Sequence, residues 1–286
     1  PISELDKMAR EEFSMKVWTK RSASYSDFEQ EVIKSGQKLF AAFEKQTETG
    51  TGLQRVTWSS NAGARTLMGT RYKWGVATSK VKANLVDVLA YIWNAASDNS
   101  AAASADNIEH HVVSELSSHH QVRYCQKLMP FPYAPVDFLT TIVWKMVEDD
   151  TFMIVEVPHQ NNKLVEPNGR STRGKHLVCY KLTRIDENNS RLQMLYKPSD
   201  FGKNIKVETV GLSVVSMLEQ VSDIQRYFMR LCGAKQAFKA DGAALGDEIC
   251  LRIGEGGLDK TMRMFDDFQA FKDLESSYNN FKLIIK

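Results

Sequence analysis

VETVGLSVVSMLEQVSDIQRYFMRL, residues 207–231, is the stretch on which the fold turns. Its apolar residues Val210, Val214, Met217, Val221, Ile224, Phe228 and Leu231 are spaced alternately by four and three. That spacing gathers them into one stripe of a long helix. Glu208, Glu219, Arg226 and Arg230 fall on the opposite face, and Gly233 is a stop signal. A helix with a single apolar face needs an apolar surface to cover it.

The residues upstream supply one. Runs rich in β-branched and aromatic residues predict strands over 108–116, 121–128, 138–147, 152–157, 176–185 and 191–197. Between them lie short turn signals: Ser117-Ser118, Glu148-Asp149-Asp150 and Asn188-Asn189. Connections this short favour an antiparallel meander, because parallel strands need crossover helices. Further upstream, residues 66–77 read as one strand kinked at Gly69, and 80–94 switch to helical spacing. A helix is also predicted from Ser26, a plausible N-cap with Glu29 three residues on, until Gly50 and Gly52 end it. The architecture expected is α+β: a curved antiparallel sheet wrapped around the long helix, with N- and C-terminal helical extensions. The corresponding segments are 1–50, 51–240 and 241–286.

Across its 286 residues the chain is 43% hydrophobic and 25% charged, which excludes a disordered polymer. No apolar run approaches the roughly 20 residues of a membrane-spanning helix. Lysine plus arginine number 37 against 35 acids, a net charge of +2 that gives no bulk reason to expect nucleic acid. Cys125, Cys179, Cys232 and Cys250 are widely separated, and the acidic N-terminus does not resemble a secretory or organelle signal. Both features point to reduced thiols and a cytoplasmic location.

Two segments carry a family resemblance. Pro130-Phe131-Pro132-Tyr133-Ala134-Pro135-Val136-Asp137-Phe138-Leu139 resembles the proline-rich loop of START domains, the StAR-related lipid-transfer modules, where it runs into an Arg-Asp-Phe that opens a strand. Lys197-Pro198-Ser199-Asp200-Phe201-Gly202-Lys203-Asn204-Ile205 resembles the loop that leads into the family's C-terminal helix. The order of elements matches from about Val56 to Leu231. Val136 stands where the family has its arginine, so an ion pair from that position is absent here. The resemblance implies the helix-grip fold and a tunnel between sheet and helix holding one lipid or sterol-like molecule, with no enzymatic activity and no cofactor. Candidates for its lining are Met68, Tyr72, Trp74, Trp144, Met146, Met194 and Tyr196 from the strands, and Val214, Met217 and Val221 from the helix. Phe131 and Tyr133 would gate entry. An aromatic and methionine set at strand spacing is equally what a plain core contains, so the alternative is a scaffold domain whose interior is filled and whose helical ends dock other proteins.

Other constellations are weaker. His110, His111, His119 and His120 flank one turn, but adjacent strand residues point to opposite faces and cannot converge on a metal. They are expected on a hairpin's solvated face. Lys163, Arg170, Arg173, Lys175, Lys181 and Arg184 make a basic segment that reads as a solvated hairpin tip or, alternatively, as a loop for transient contact with an anionic membrane surface. Catalytic signatures are lacking: there is no GxSxG elbow and no P-loop, and Gly254-Glu255-Gly256-Gly257 lacks the context of a dinucleotide site. Residues 258–281 carry Phe265, Phe268 and Phe271, more apolar surface than a free tail should expose. They are expected to dock on the domain or on a protein partner.

Overall fold

Short turns leave successive strands little choice but to pair antiparallel, and that ladder organises the molecule. The computed structural model describes residues 24–48, 54–57, 63–68, 73–94, 107–129, 132–161, 163–167, 171–201, 205–206, 209–211 and 213–230. In chain order the elements are α1 (Asp27–Glu48), β1 (Gln54–Thr57), β2 (Gly63–Met68), β3 (Lys73–Val81) and α2 (Leu85–Asn94). They continue with β4 (Asn107–Ser117), β5 (His120–Lys127), β6 (Val136–Glu148), β7 (Thr151–Pro158), β8 (Thr172–Arg173), β9 (Lys175–Asp186) and β10 (Asn189–Asp200). Helix α3 covers residues 209–211 and 213–230. The strands form one sheet in the order β1-β2-β3-β10-β9-β7-β6-β5-β4, with β8 pairing parallel to the start of β6. This is the expected α+β helix-grip arrangement, a large antiparallel sheet holding a C-terminal helix.

Each strand sends alternate side chains to opposite faces. The inner face presents Phe138, Ile142, Trp144, Phe152, Ile154, Val178, Leu182, Leu192, Met194 and Tyr196. These pack on Leu89 and Ile92 of α2 and on the α3 stripe Val210, Val214, Met217, Val221, Ile224 and Phe228. The outer face presents Trp74, Val143, Met153, Val155, Cys179 and Leu195 to Val32, Ile33, Phe40 and Phe43 of α1. The sheet is therefore the middle of three layers.

Helix α1 is fixed at its first turn. The backbone N–H of Ser26 donates to Glu29 Oε2 at 2.8 Å, and the Glu29 N–H donates to the Ser26 hydroxyl at 3.3 Å, a capping box. The other carboxylate oxygen of Glu29 meets His120 Nδ1 at 2.9 Å and His119 Nε2 at 3.4 Å. Tyr25 lies 4.3 Å from the His119 ring and donates its hydroxyl to the Trp144 carbonyl. Burial pushes the Glu29 carboxyl upward, but hydrogen bonds from Ser26 and His120 outweigh it and hold the group below its ordinary value.

Several expectations change here. Residues 66–77 are two strands, β2 and β3 paired as a hairpin, and not one kinked strand. Helix α2 starts at Leu85 because Lys80 and Val81 belong to β3 and Asn84 caps the helix, accepting from the Asp87 N–H at 2.8 Å. Trp74 faces α1, edge-on to Phe43, so it is not part of the interior lining. His119 and His120 are buried beneath α1 and not on a wet face. Arg173 is committed to structure: its Nε and Nη2 grip Asp137, each at 3.1 Å, and Asp137 is 0% exposed. An arginine from the neighbouring strand thus pairs with the aspartate that follows Val136. Among the described residues no helix is long and apolar enough to cross a membrane. The segments 1–23 and 231–286, including the apolar 258–281, lie outside the described residues.

Gly36 marks where α1 meets the sheet most closely. A Cβ there would stand 2.5 Å from Val155 Cγ2 and 2.7 Å from Cys179 Sγ. Gly36→Val should therefore lower the unfolding free energy by about 1–3 kcal/mol, as overpacked sites do. Urea denaturation checks this, and an unchanged midpoint would mean that α1 does not rest on β7 and β9.

Candidate functional site

The alternation that makes the inner face apolar also places charged groups on it. In β7, Phe152, Ile154 and Glu156 share one parity; in β5, Gln121, Arg123, Cys125 and Lys127 do. Pairing of β5 with β6 sets Arg123 opposite Thr140, and pairing of β6 with β7 sets Ile142 opposite Glu156. His176 follows on β9, beside Val178, which faces Glu156. The result is a polar row crossing β5, β6, β7 and β9 beneath α3.

Beside this row is a cavity of about 70 Å3. The sheet contributes His110, Arg123, Cys125, Lys127, Glu156, His176 and Tyr180 to its wall. Opposite them are Tyr91 and Ile92 of α2 with Met217, Gln220, Asp223 and Ile224 of α3. Glu156 Oε1 accepts from the Thr140 hydroxyl at 2.8 Å and lies 3.1 Å from His176 Nε2. Burial alone would raise the Glu156 carboxyl, but the His176 hydrogen bond and charge, then Arg123 and Thr140, bring it down to about 2. Arg123 is 4% exposed. Its Nε and Nη2 donate to Gln121 Oε1 at 3.2 and 3.0 Å, and Nη2 also donates to the Trp93 carbonyl. The guanidinium sits over the Trp93 ring, 5.3 Å from its centroid. Burial lowers its pKa, opposed by Glu156, yet an arginine stays protonated in proteins, so the cavity wall holds a buried cation. Burial, reinforced by the Arg123 charge, pushes His110 down to about 3, which keeps that imidazole neutral. Burial pushes the Cys125 thiol up to about 11, so it is not a poised nucleophile. No group of three metal-ligating side chains converges among the described residues.

The residues singled out from sequence distribute around this cavity. Met217 lines it. Trp144, Met194, Tyr196, Val214 and Val221 are buried in the core that surrounds it, and Tyr133 packs half-buried against that core. Met68 ends β2, with its side chain outside the described set, and Tyr72 and Phe131 lie outside the described residues. Sequence reasoning missed Arg123, Glu156 and His176. The signal was available for one of them: Glu156 is a charged residue in phase with the apolar Phe152 and Ile154 of its strand.

Solved structures share this fold. Human StAR-related lipid transfer protein 5 superposes with a TM-score of 0.58 at 10% identity, covering 72% of this chain and 99% of that one. The STAR-related lipid transfer protein from Xanthomonas axonopodis gives 0.54 at 13% identity, over 63% and 99%. The fold is that of START domains. The lipid transfer and protein localization domain of human StarD13 gives 0.50 at 16% identity, over 66% and 96%. No protein-family model and no curated protein matches the chain by sequence. At these identities the likeness extends to the START fold, and the polar row must be read from this chain's own residues.

The depressed Glu156 carboxyl has a pH signature. Its folded pKa of about 2 lies below the ordinary 4.5, so its contribution to stability is present above 4.5 and is lost as pH falls toward 2. Across that window the unfolding free energy of Glu156→Gln should fall less steeply than that of the wild type. Parallel curves in urea titrations would show that Glu156 is not held ionised by its partners.

Proposed function

We propose that this protein is a non-enzymatic binder of a lipid or other hydrophobic small molecule, held between the sheet and α3 for transfer or sensing. The observation that carries this reading is the internal cavity itself, with an α2/α3 wall that includes Tyr91, Ile92, Met217 and Ile224 and a polar wall on the sheet. Such a two-sided site suits an amphiphile, with burial of its tail contributing roughly 25 cal/mol per Å2 and polar groups setting orientation. Solved proteins of this fold are lipid transfer proteins by name.

The cavity of about 70 Å3 is smaller than the roughly 300 Å3 at which drug-sized ligands fit, so a lipid enters only as α3 moves outward. Helix α3 suits that motion. Its stripe is held by apolar contact. Its polar ties to the rest among the described residues include Gln225 Nε2 to the Lys80 carbonyl at 3.0 Å, the Tyr180 hydroxyl to Gln220 Oε1 at 3.5 Å, Lys127 Nζ to the Met217 thioether, and a Tyr196–Ser213 side-chain hydrogen bond. In this reading Phe131 and Tyr133 form the gate beside α3. Met68, Tyr72, Trp144, Met194, Tyr196, Val214, Met217 and Val221 line the widened tunnel. The protein works in the cytoplasm, with transient membrane-surface contact through the basic segment 163–184 and a protein partner docking on 258–281. The small volume is the observation on the side of a filled scaffold domain.

Native mass spectrometry separates the two. Protein incubated with phospholipid and sterol vesicles should acquire an adduct of lipid mass that organic extraction removes. Bare protein mass after the same incubation would contradict ligand binding.

A further inference from the structure

The charges on the cavity wall do not cancel. Asp223 is engaged by Arg226, and Glu156 by His176 and Thr140. Arg123 and Lys127 make no ion pair among the described residues. Every acceptor met by Arg123 is neutral: the Gln121 side chain and the Trp93 carbonyl. Lys127 Nζ meets only the thioether of Met217. On this wall Arg123 and Lys127 are two cations without an ion pair against the one carboxylate Glu156, so positive charge is in excess. The Nδ1 atoms of His110 and His176 are buried without a hydrogen-bond partner. Unpaired buried polar groups of this kind are costly and rare in native proteins.

We infer that the site is completed by an amphiphile with a single carboxylate, whose head lies against Arg123 and Lys127 and whose tail leaves between α2 and α3. The inference rests on the cavity being a ligand site and adds the chemistry of the head. A carboxylate is a small anion that pairs well with guanidinium and ammonium donors, and its negative charge opposes the excess. The volume decides in the same direction: about 70 Å3 admits a head of a few heavy atoms and excludes a phosphodiester carrying its own substituent. A neutral alcohol would fit, but it would leave the positive charge of Arg123 and Lys127 in place. His110 and His176 offer ring nitrogens at the same wall, and Tyr91, Ile92, Met217 and Ile224 offer the tail its path.

The test uses the full chain stripped of bound lipid, titrated calorimetrically with dodecanoate, dodecanol and dodecyl phosphate. Dodecanoate should bind at least about tenfold more tightly than dodecanol, since hydrogen bonds to a charged group are the strong ones. Arg123→Met should remove that preference while leaving dodecanol binding within about threefold. Should Arg123→Met fail to fold, Lys127→Gln, at a half-buried position, should still narrow the preference and reduce its dependence on salt. Equal affinities for dodecanoate and dodecanol would overturn the carboxylate head while leaving the cavity as a binding site. Tighter binding of dodecyl phosphate would overturn it in favour of a phosphate head, and failure of all three amphiphiles to bind would overturn the cavity reading as well.

Discussion

Glu156 occupies a position in β7 where strand alternation asks for an apolar side chain, and the interior is arranged around holding it ionised. A carboxylate taken out of water is stable only if hydrogen bonds and opposite charge replace what it loses. Here the Thr140 hydroxyl and the His176 ring supply the bonds, and Arg123 supplies charge across the width of β6. Those three residues sit on three other strands, so the register of β5, β6, β7 and β9 is tied to one polar contact set. A slip of one residue in any of these strands would send its member of the row to the opposite face.

Helix α3 inherits the consequence. Its apolar stripe covers an inner face that is hydrophobic around Trp144, Phe152 and Leu182 but charged around Glu156 and Arg123. Over the first region the stripe packs closely. Over the second it cannot fill the space without burying the charged groups unsatisfied, and the cavity lies there. The outer layer contrasts with this. Helix α1 lies so close to β7 and β9 that Gly36 leaves no room for a Cβ, and Glu29 anchors its first turn to His119 and His120. One side of the sheet is clamped, while the other carries a cover held mainly by apolar contact.

The parts of this that were legible in the sequence are the local ones. The α3 stripe follows from a three-and-four spacing that depends on no other segment, and the Ser26–Glu29 cap from residues three apart. The strands of the meander also stand out by composition. Pairing between distant segments was hidden. β3 lies beside β10, more than a hundred residues away in sequence, and that placement turns Trp74 outward and Ala77 inward. His119 and His120 read as solvated because the helix that covers them comes 91 residues before His120. Glu156 was legible but unread: it breaks the apolar phase of Phe152 and Ile154, and an in-phase charge on a strand that faces the core marks a site that must be satisfied or used. Arg123 shares its phase with Gln121, Cys125 and Lys127 and gives no such signal.

The central claim is that α3 is a cover over a ligand cavity and not a fixed part of the core. Amide hydrogen exchange followed segment by segment, before and after addition of dodecanoate, tests it most directly. The account predicts that amides in residues 213–230 exchange well ahead of those in β6, β7 and β9, and that dodecanoate slows them selectively. Residues 213–230 exchanging as slowly as the central strands, with no response to dodecanoate, would contradict it.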